Sequence, residues 1–429
     1  MNRSIILLII LMILISVIML CDSNQEIKLI SKRVFVEPPE NGVCVSAGTI
    51  NYITLSGTTM LHTFSVSHRS DTADRAYRRW SYDNGETWTE PDTIQTGFPF
   101  LNGARRVYST SLYLDPHTGR LFEFFIIGNL SNDDPLDGLR KWVIHYRISV
   151  DGGKTFDEVR PVLHKGAEFT QEHPLPNVWT GKNSAMNPCC RPITTQSGEI
   201  LLACQISPLD AKGNLYNPTG GYTYHYTAVL IGKWCIDKND LEWTLSDSIQ
   251  NKPEKSTRGA IEGTIADLEN GNILLIMRGS NDSKPRLPGH KWMSFSTDNG
   301  HTWTDPVPWS FTDGQPFYSP SSCSYLVRHG RTKKLYWFGN ISEDNPHGNS
   351  PRYPLVIVEV DEKKLTLKRE SLLVIDTRRE SDGEKLQLSN FAVYEDRISG
   401  EFVVICNRWG QDASDPWHSP SYIYRIQVH

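Results

Sequence analysis

Histidines, tyrosines, arginines and one cysteine pair are the side chains of this sequence with chemistry to offer. His68 opens the run His68-Arg69-Ser70-Asp71, and His62 stands shortly before it. His173 and Arg191 flank the stretch Asn183-Ser184-Ala185-Met186-Asn187-Pro188-Cys189-Cys190. Tyr222, Tyr224 and Tyr226 alternate, so a strand there would set three phenols along one face. Any one of these reads as readily as a packed aromatic or a satisfied core histidine. As a set they match β-elimination on a uronic acid, which needs the sugar carboxylate neutralised, a proton taken from C5 and another given to the leaving oxygen at C4. Arginine suits the first task, and His or Tyr of tuned pKa suits the other two. On this reading His68, Tyr224 and His225 move the protons. Tyr224 comes before His225 because neighbours on a strand face opposite ways, and nearby arginines would lower the tyrosine pKa. His173 and Arg191 are then candidates for binding substrate, with His173 and Tyr222 in reserve for proton transfer.

Adjacent Cys189 and Cys190 offer thiolates for a structural zinc, a strained vicinal disulfide, or simply two buried thiols. No CxxC or HExxH spacing selects the metal. The elimination chemistry requires no cofactor; a structural zinc or calcium stays open.

A repeat announces the elements that must position these groups. Ser81-Tyr82-Asp83-Asn84-Gly85-Glu86-Thr87-Trp88 recurs as Ser149-Val150-Asp151-Gly152-Gly153-Lys154-Thr155-Phe156 and as Ser296-Thr297-Asp298-Asn299-Gly300-His301-Thr302-Trp303. Each copy has the parts of a tight hairpin turn: an Asp to cap backbone N–H groups, a Gly for positive φ, and an aromatic to fold beneath. Asp83 and Asp151 are 68 residues apart and Asp151 and Asp298 are 147, about twice as far, so one unit lies between the latter two. A looser copy at Asp237 to Trp243 fills that place. Short apolar strands alternate with turns around the copies, as at Asn272 to Met277, Lys334 to Phe338, Leu355 to Val360 and Glu401 to Cys406, and no segment sustains a helical period. Units of roughly 60 to 85 residues then give an all-β, six-bladed β-propeller of four-stranded blades, with seven blades the alternative count. The three aspartates are expected on outer turns.

This repeat is the Asp-box (BNR repeat), and over nearly its whole length after the leader the chain resembles the sialidase-like propellers. Two further stretches are similar to sialidase active-site segments: Glu262 through the strand ending at Met277-Arg278, and Asn349-Ser350-Pro351-Arg352. The resemblance implies that Arg278 and Arg352 clamp a sugar carboxylate, since a guanidinium fork matches it with two parallel hydrogen bonds, with Glu262 beside them in the substrate site. The departures matter as much. Where such enzymes begin with an Arg-Ile-Pro segment, this sequence has Gly42-Val43-Cys44-Val45-Ser46-Ala47-Gly48. Where they carry a tyrosine nucleophile it has Leu386-Gln387-Leu388-Ser389-Asn390-Phe391. A chain that keeps the clamp and loses the nucleophile suits a polysaccharide lyase of the same fold, similar to some ulvan lyases. The alternatives are a divergent sialidase-like glycoside hydrolase using carboxylates such as Asp71 and Glu262, and a non-catalytic glycan-binding propeller.

The remaining features bound the setting. After Arg3 an apolar run from Ile5 to Leu20 ends at Cys21 and a polar exit, the pattern of a signal peptide over 1–21, with a lipoprotein signal as the variant reading and a signal anchor as the other. An N-terminal segment (22–43) and a single catalytic propeller domain (44–429) would follow. The chain would then be secreted, periplasmic or a cell-surface lipoprotein, without an integral membrane domain after removal of the signal. With 44 Lys and Arg against 49 Asp and Glu the net charge is −5, so no nucleic-acid partner is indicated; an acidic polysaccharide or oligosaccharide would have to meet local arginines. Seven cysteines beyond Cys21, an odd number widely spread, do not make a disulfide framework.

Overall fold

A computed structural model describes residues 26–429 except Gln95 and Leu101; the expected signal segment lies outside the described residues. The strands form six antiparallel sheets. Their order makes them the blades of a six-bladed β-propeller. Blade 1 is built on Met60–Ser67 and Arg75–Ser81, with Cys44–Val45 and Thr49–Tyr52 sharing its inner position and Asp92–Ile94 outermost. Blade 2 is built on Gly103–Leu114, Leu121–Ser131 and Val143–Ser149, with Gly97–Phe100 paired along the first and Arg160–Pro161 outermost. Blade 3 has Ala185–Met186 and Ile193–Thr194 inside, then Ile200–Ile206, Tyr226–Cys235 and Asp240–Leu245. Blade 4 is Ile261–Asp267, Ile273–Arg278, Lys291–Ser296 and Val307–Pro308. Blade 5 is Tyr325–Arg328, Leu335–Asn340 and Leu355–Asp361, edged by Thr366–Leu367 and Leu373–Asp376. Blade 6 is Phe391–Glu395, Phe402–Asn407 and Ser421–Val428, with Ile27–Val36 outermost. The last strand is a correction to the sequence reading, which leaves 22–43 outside the propeller. Ile27–Val36 pairs along Ser421–Val428 and closes the ring.

The middle strands are apolar on both faces because blades stack face to face. Ile273–Arg278 is buried at every position, and so is Phe402–Asn407. The core is accordingly a ring of clusters between blades: one joins blades 2, 3 and 4, another blades 4 and 5, a third blades 5 and 6, and smaller ones close the circle through blade 1. Burying one Leu, Ile or Phe side chain of such a strand contributes about 1.5–3 kcal/mol.

The three repeated turns each join the third strand of a blade to its fourth, on the outside, in blades 1, 2 and 4. In the last copy Asp298 Oδ1 accepts from Ser296 Oγ at 2.7 Å and from the Thr302 N–H at 2.9 Å, and Gly300 takes φ +85°. The Trp303 Nε1–H donates to the Gly300 carbonyl at 2.9 Å, which is how the aromatic folds under the turn. The looser copy at Asp237 to Trp243 holds the same place in blade 3, and Trp243 packs edge-on against Phe124 and Tyr146 of blade 2.

Candidate functional site

An antiparallel blade puts the start of its first strand, the end of its second and the loop from second to third at one end of the ring. In blade 4 that end carries Glu262 at the start and Arg278 at the finish of paired strands. A bulge between Ile261 and Thr264 interrupts the pairing, and Glu262 sits in it with φ +48°, a left-handed conformation uncommon for a non-glycine residue. The bulge brings Glu262 Oε1 to Arg278 Nη1 at 2.5 Å, while the Glu262 N–H donates to Gln205 Oε1 at 3.2 Å. Non-glycine left-handed residues gather at functional sites because the strain must be upheld by the surroundings. Asp71 and Cys189, also near this end, share the conformation.

Arg278 is almost fully enclosed. Its Nε donates to Ser321 Oγ at 2.7 Å and its Nη2 to Asn349 Oδ1 at 3.3 Å. Arg352, from the loop between the second and third strands of blade 5, donates through Nε and Nη2 to the carbonyl of the same Ser321, at 3.0 and 2.8 Å. Its Nη1 reaches Gln387 Oε1 at 2.9 Å. Gln387 thus holds Arg352 in the segment where the resemblance would have a tyrosine nucleophile.

A third arginine joins them. Arg258, just ahead of Glu262, is buried, donates to Thr223 Oγ1 through Nε and Nη2 at 3.2 and 2.6 Å, and lies 5.3 Å from the ring of Tyr222. The Tyr222 hydroxyl donates to Asp71 Oδ2 at 3.2 Å. Asp71 comes from blade 1 and Tyr222 from blade 3, so the contact spans blade 2. Burial pushes the Glu262 carboxyl up, but the charge and hydrogen bond of Arg278 overcome it and hold it at about 2. Burial, and then the charge of Arg278, bring Arg258 and Arg352 each down to about 10, so both stay cationic at neutral pH. Lys291, beside Arg278 on the third strand of blade 4, is wholly buried and brought down to about 7 by burial and then by Arg278, its Nζ donating to the Ser322 carbonyl.

Of the residues expected from sequence, Glu262, Arg278 and Arg352 come together, with Cys189 beside Glu262. Cys189 does not act with Cys190: the Cys190 thiol donates to the Pro188 carbonyl at 3.2 Å, whereas Cys189 Sγ lies 2.7 Å from Cys323 Sγ. Cys189, Glu262 and Cys323 place their donor atoms within 4.8 Å of one another. His225 is buried behind the site, its Nδ1 3.2 Å from Ser207 Oγ; burial and then Arg258 bring its pKa down to about 3.

Others lie apart. His68 is exposed and pairs through Nδ1 with Asp74 at 2.6 Å. Tyr224 and Tyr222 precede the strand, which starts only at Tyr226, so the three phenols do not share a strand face. The Tyr224 hydroxyl donates to the Asn251 carbonyl at 2.9 Å, and burial, then Tyr216, raises its pKa to about 12, opposite to the expected lowering by arginine. His173 stacks between Phe169 and Trp179, its Nδ1 on the Val178 carbonyl at 2.8 Å. Arg191 is an axial strut, bonding the Val393 carbonyl of blade 6 from blade 3 with its guanidinium 5.9 Å from the Tyr325 ring. His62 is a core histidine, stacked on Phe64.

Sequence reasoning missed Arg258, Cys323, Ser321 and Gln387. Arg258 carried a signal in its closeness to Glu262 in the chain, and Gln387 in its place in the segment that stands where the resemblance would have a tyrosine nucleophile.

The fold is that of the sialidases. A protein of unknown function from Dyadobacter fermentans superposes with a TM-score of 0.60 at 13% identity, covering 94% of this chain and all of that one. A Hadza microbial sialidase gives 0.58 at 14%, over 90% of this chain and 66% of its own. The NanB sialidase of Streptococcus pneumoniae gives 0.57 at 13%, over 92% and 70%. No protein-family model and no curated protein matches the sequence. At such identities the likeness is one of fold.

Proposed function

We propose that this chain is a carbohydrate-active enzyme that takes an acidic glycan at the Arg258, Arg278 and Arg352 patch and cleaves it by hydrolysis. The observation that carries the reading is a largely enclosed Glu262, its carboxyl held low by Arg278, beside the buried Arg258 and Arg278 and the half-buried Arg352. The arginines supply fixed positive charge for a sugar carboxylate or sulfate. Glu262 supplies the anionic partner that an oxocarbenium-like transition state needs, and Asp71, reached through Tyr222, is the second carboxylate of the pair. The histidines and Tyr224 suggested for elimination are engaged elsewhere, and this favours hydrolysis. Elimination keeps one supporting observation: the exposed Tyr222 phenol, bonded to Asp71 beside Arg258, is a base or acid in reach of the same patch.

The test is incubation with a panel of sialylated, uronate-containing and sulfated glycans. New reducing ends without ultraviolet absorbance are the expected result. Absorbance from an unsaturated uronyl product would move the assignment to a lyase, similar to ulvan lyases. Binding without cleavage would make the propeller a lectin. The apolar N-terminal run supports export or lipid anchoring of such an enzyme, and among the described residues no helix is long and apolar enough to cross a membrane.

A further inference from the structure

The hydrolytic reading gives Cys189 and Cys323 no task, yet they meet at the centre of the site. Cys189 lies in the gap between the two inner strands of blade 3, with φ +56°, and is partly exposed. Cys323 is buried just ahead of the inner strand of blade 5. The two are 134 positions apart in sequence and come from blades that are not neighbours, but their sulfurs lie 2.7 Å apart. The Cys323 thiol also meets Glu262, 3.2 Å from Oε2. Three of the other described cysteines are placed differently: Cys44 accepts from Asn407, Cys406 donates to the Asn407 carbonyl, and Cys190 donates to the Pro188 carbonyl.

We propose that Cys189 and Cys323 are a redox-active pair whose disulfide staples blade 3 to blade 5 beneath the arginine patch and uncaps Glu262. The sulfurs need only a small approach to reach the S–S bond length of about 2.05 Å. The oxidant is a small-molecule disulfide of the glutathione type. Cys189, the accessible thiol, attacks it; its S–S bond breaks, one small thiolate leaves, and a mixed disulfide forms on Cys189. The Cys323 sulfur then attacks the Cys189 sulfur and the second small thiolate leaves. Two electrons pass to the small disulfide, and the two protein thiol protons end on the two small thiols, that of Cys323 leaving by way of the adjacent Glu262 carboxylate. In the product no S–H faces Glu262 Oε2, so that oxygen is open to water or substrate. The cross-link stands on the sulfur geometry alone; its effect on cleavage rests on the hydrolytic reading. A zinc ion on the same three donors is the competing chemistry, opposed by Arg258, Arg278, Arg352 and Lys291 around them.

The full chain would be held in glutathione disulfide or in dithiothreitol, alkylated, digested and mapped by mass spectrometry. Oxidation should remove two alkylatable thiols, those of Cys189 and Cys323, lower the mass by two hydrogens and yield one cross-linked peptide pair. Cys190→Ser should leave this unchanged. Cys323→Ser should stop at a glutathione adduct on Cys189. The proposal is overturned if both thiols stay alkylatable, if Cys189 pairs with Cys190, or if a stoichiometric metal protects both until a chelator removes it. Assaying both forms on the glycan panel separates the two ideas. A cross-link with no cleavage by either form refutes the hydrolytic reading alone, and equal cleavage by both forms refutes the uncapping.

Discussion

Glu262 concentrates the physical tension of this molecule. An ionised carboxylate without water is costly, and breaking a buried pair by removing one partner costs about 3–5 kcal/mol because the survivor is left uncompensated. The arginines therefore serve folding, and on the proposed function they serve ligand binding as well. Glu262→Gln keeps the shape and removes the charge; turnover of the cleaved glycan should fall by about two or more orders of magnitude with the fold intact by circular dichroism. Arg352→Ala, which leaves the Glu262–Arg278 pair in place, should weaken binding of an acidic oligosaccharide in calorimetry by about one to two orders of magnitude, the loss of a charge-assisted hydrogen bond. Acid should unfold the protein in two overlapping stages. The folded state holds His225 neutral down to about 3, against an ordinary 6.5, so as pH falls below 6.5 only the unfolded chain gains that proton and stability drops. Glu262, lowered to about 2 from 4.5, adds a further loss as pH falls from 4.5 through 2. Urea titrations at stepped pH should show both; His225→Gln should reduce the upper stage without abolishing it, because burial also holds His62, His145 and His290 low, and an unchanged profile would refute a share for His225.

At the scale of elements, what could be read in advance follows the distance over which the information lies. Each repeated turn has all its parts within eight residues, so Asp83, Asp151 and Asp298 could be placed on outer turns from the residues alone. The glycine of the third turn shows how local the constraint is. Gly300 holds φ +85°, and a Cβ there would stand 3.2 Å from Leu201 Cδ1 of the neighbouring blade. Gly300→Ala should therefore cost about 1 kcal/mol or more in chemical denaturation. Glu262 and Arg278, paired across one hairpin, were within reach of family resemblance. Cys189 and Cys323 were not, since no local pattern reports a meeting of blades 3 and 5. The tyrosine run misled for a related reason: alternation suits a strand, but the turn geometry of the loop from Ser207 to His225 delays the strand to Tyr226, and Tyr224 turns to Asn251.

For the whole molecule the critical seam is where the ring closes. Ile27–Val36 completes blade 6 from the other end of the chain, and Asp376 fastens it. This aspartate, on the edge of blade 5, accepts from Lys32 Nζ of the closing strand at 2.7 Å, from the Tyr424 hydroxyl of blade 6 at 2.5 Å, and from Arg408. Arg408 is 1% exposed and also bonds Asp382. Burial raises the Asp376 pKa, but Lys32, Tyr424 and Arg408 together bring it below the ordinary value, so it is ionised and the seam is electrostatic as well as apolar. Asp376→Ala leaves Lys32 without its partner and Arg408 with one carboxylate in place of two. The loss should approach the lower end of the roughly 3–5 kcal/mol expected for a broken buried pair, since Asp382 remains. Because one residue joins two blades and the closing strand, the damage should be local before it is global. Hydrogen exchange should rise first in Ile27–Val36 and Ser421–Val428, at denaturant concentrations where blades 3 and 4 stay protected. Asp376→Asn, which keeps an acceptor and drops the charge, should fall between the variant and the wild type. If both substitutions leave exchange in those two strands unchanged, the ring is held by apolar packing of blades 5 and 6 and not by this carboxylate.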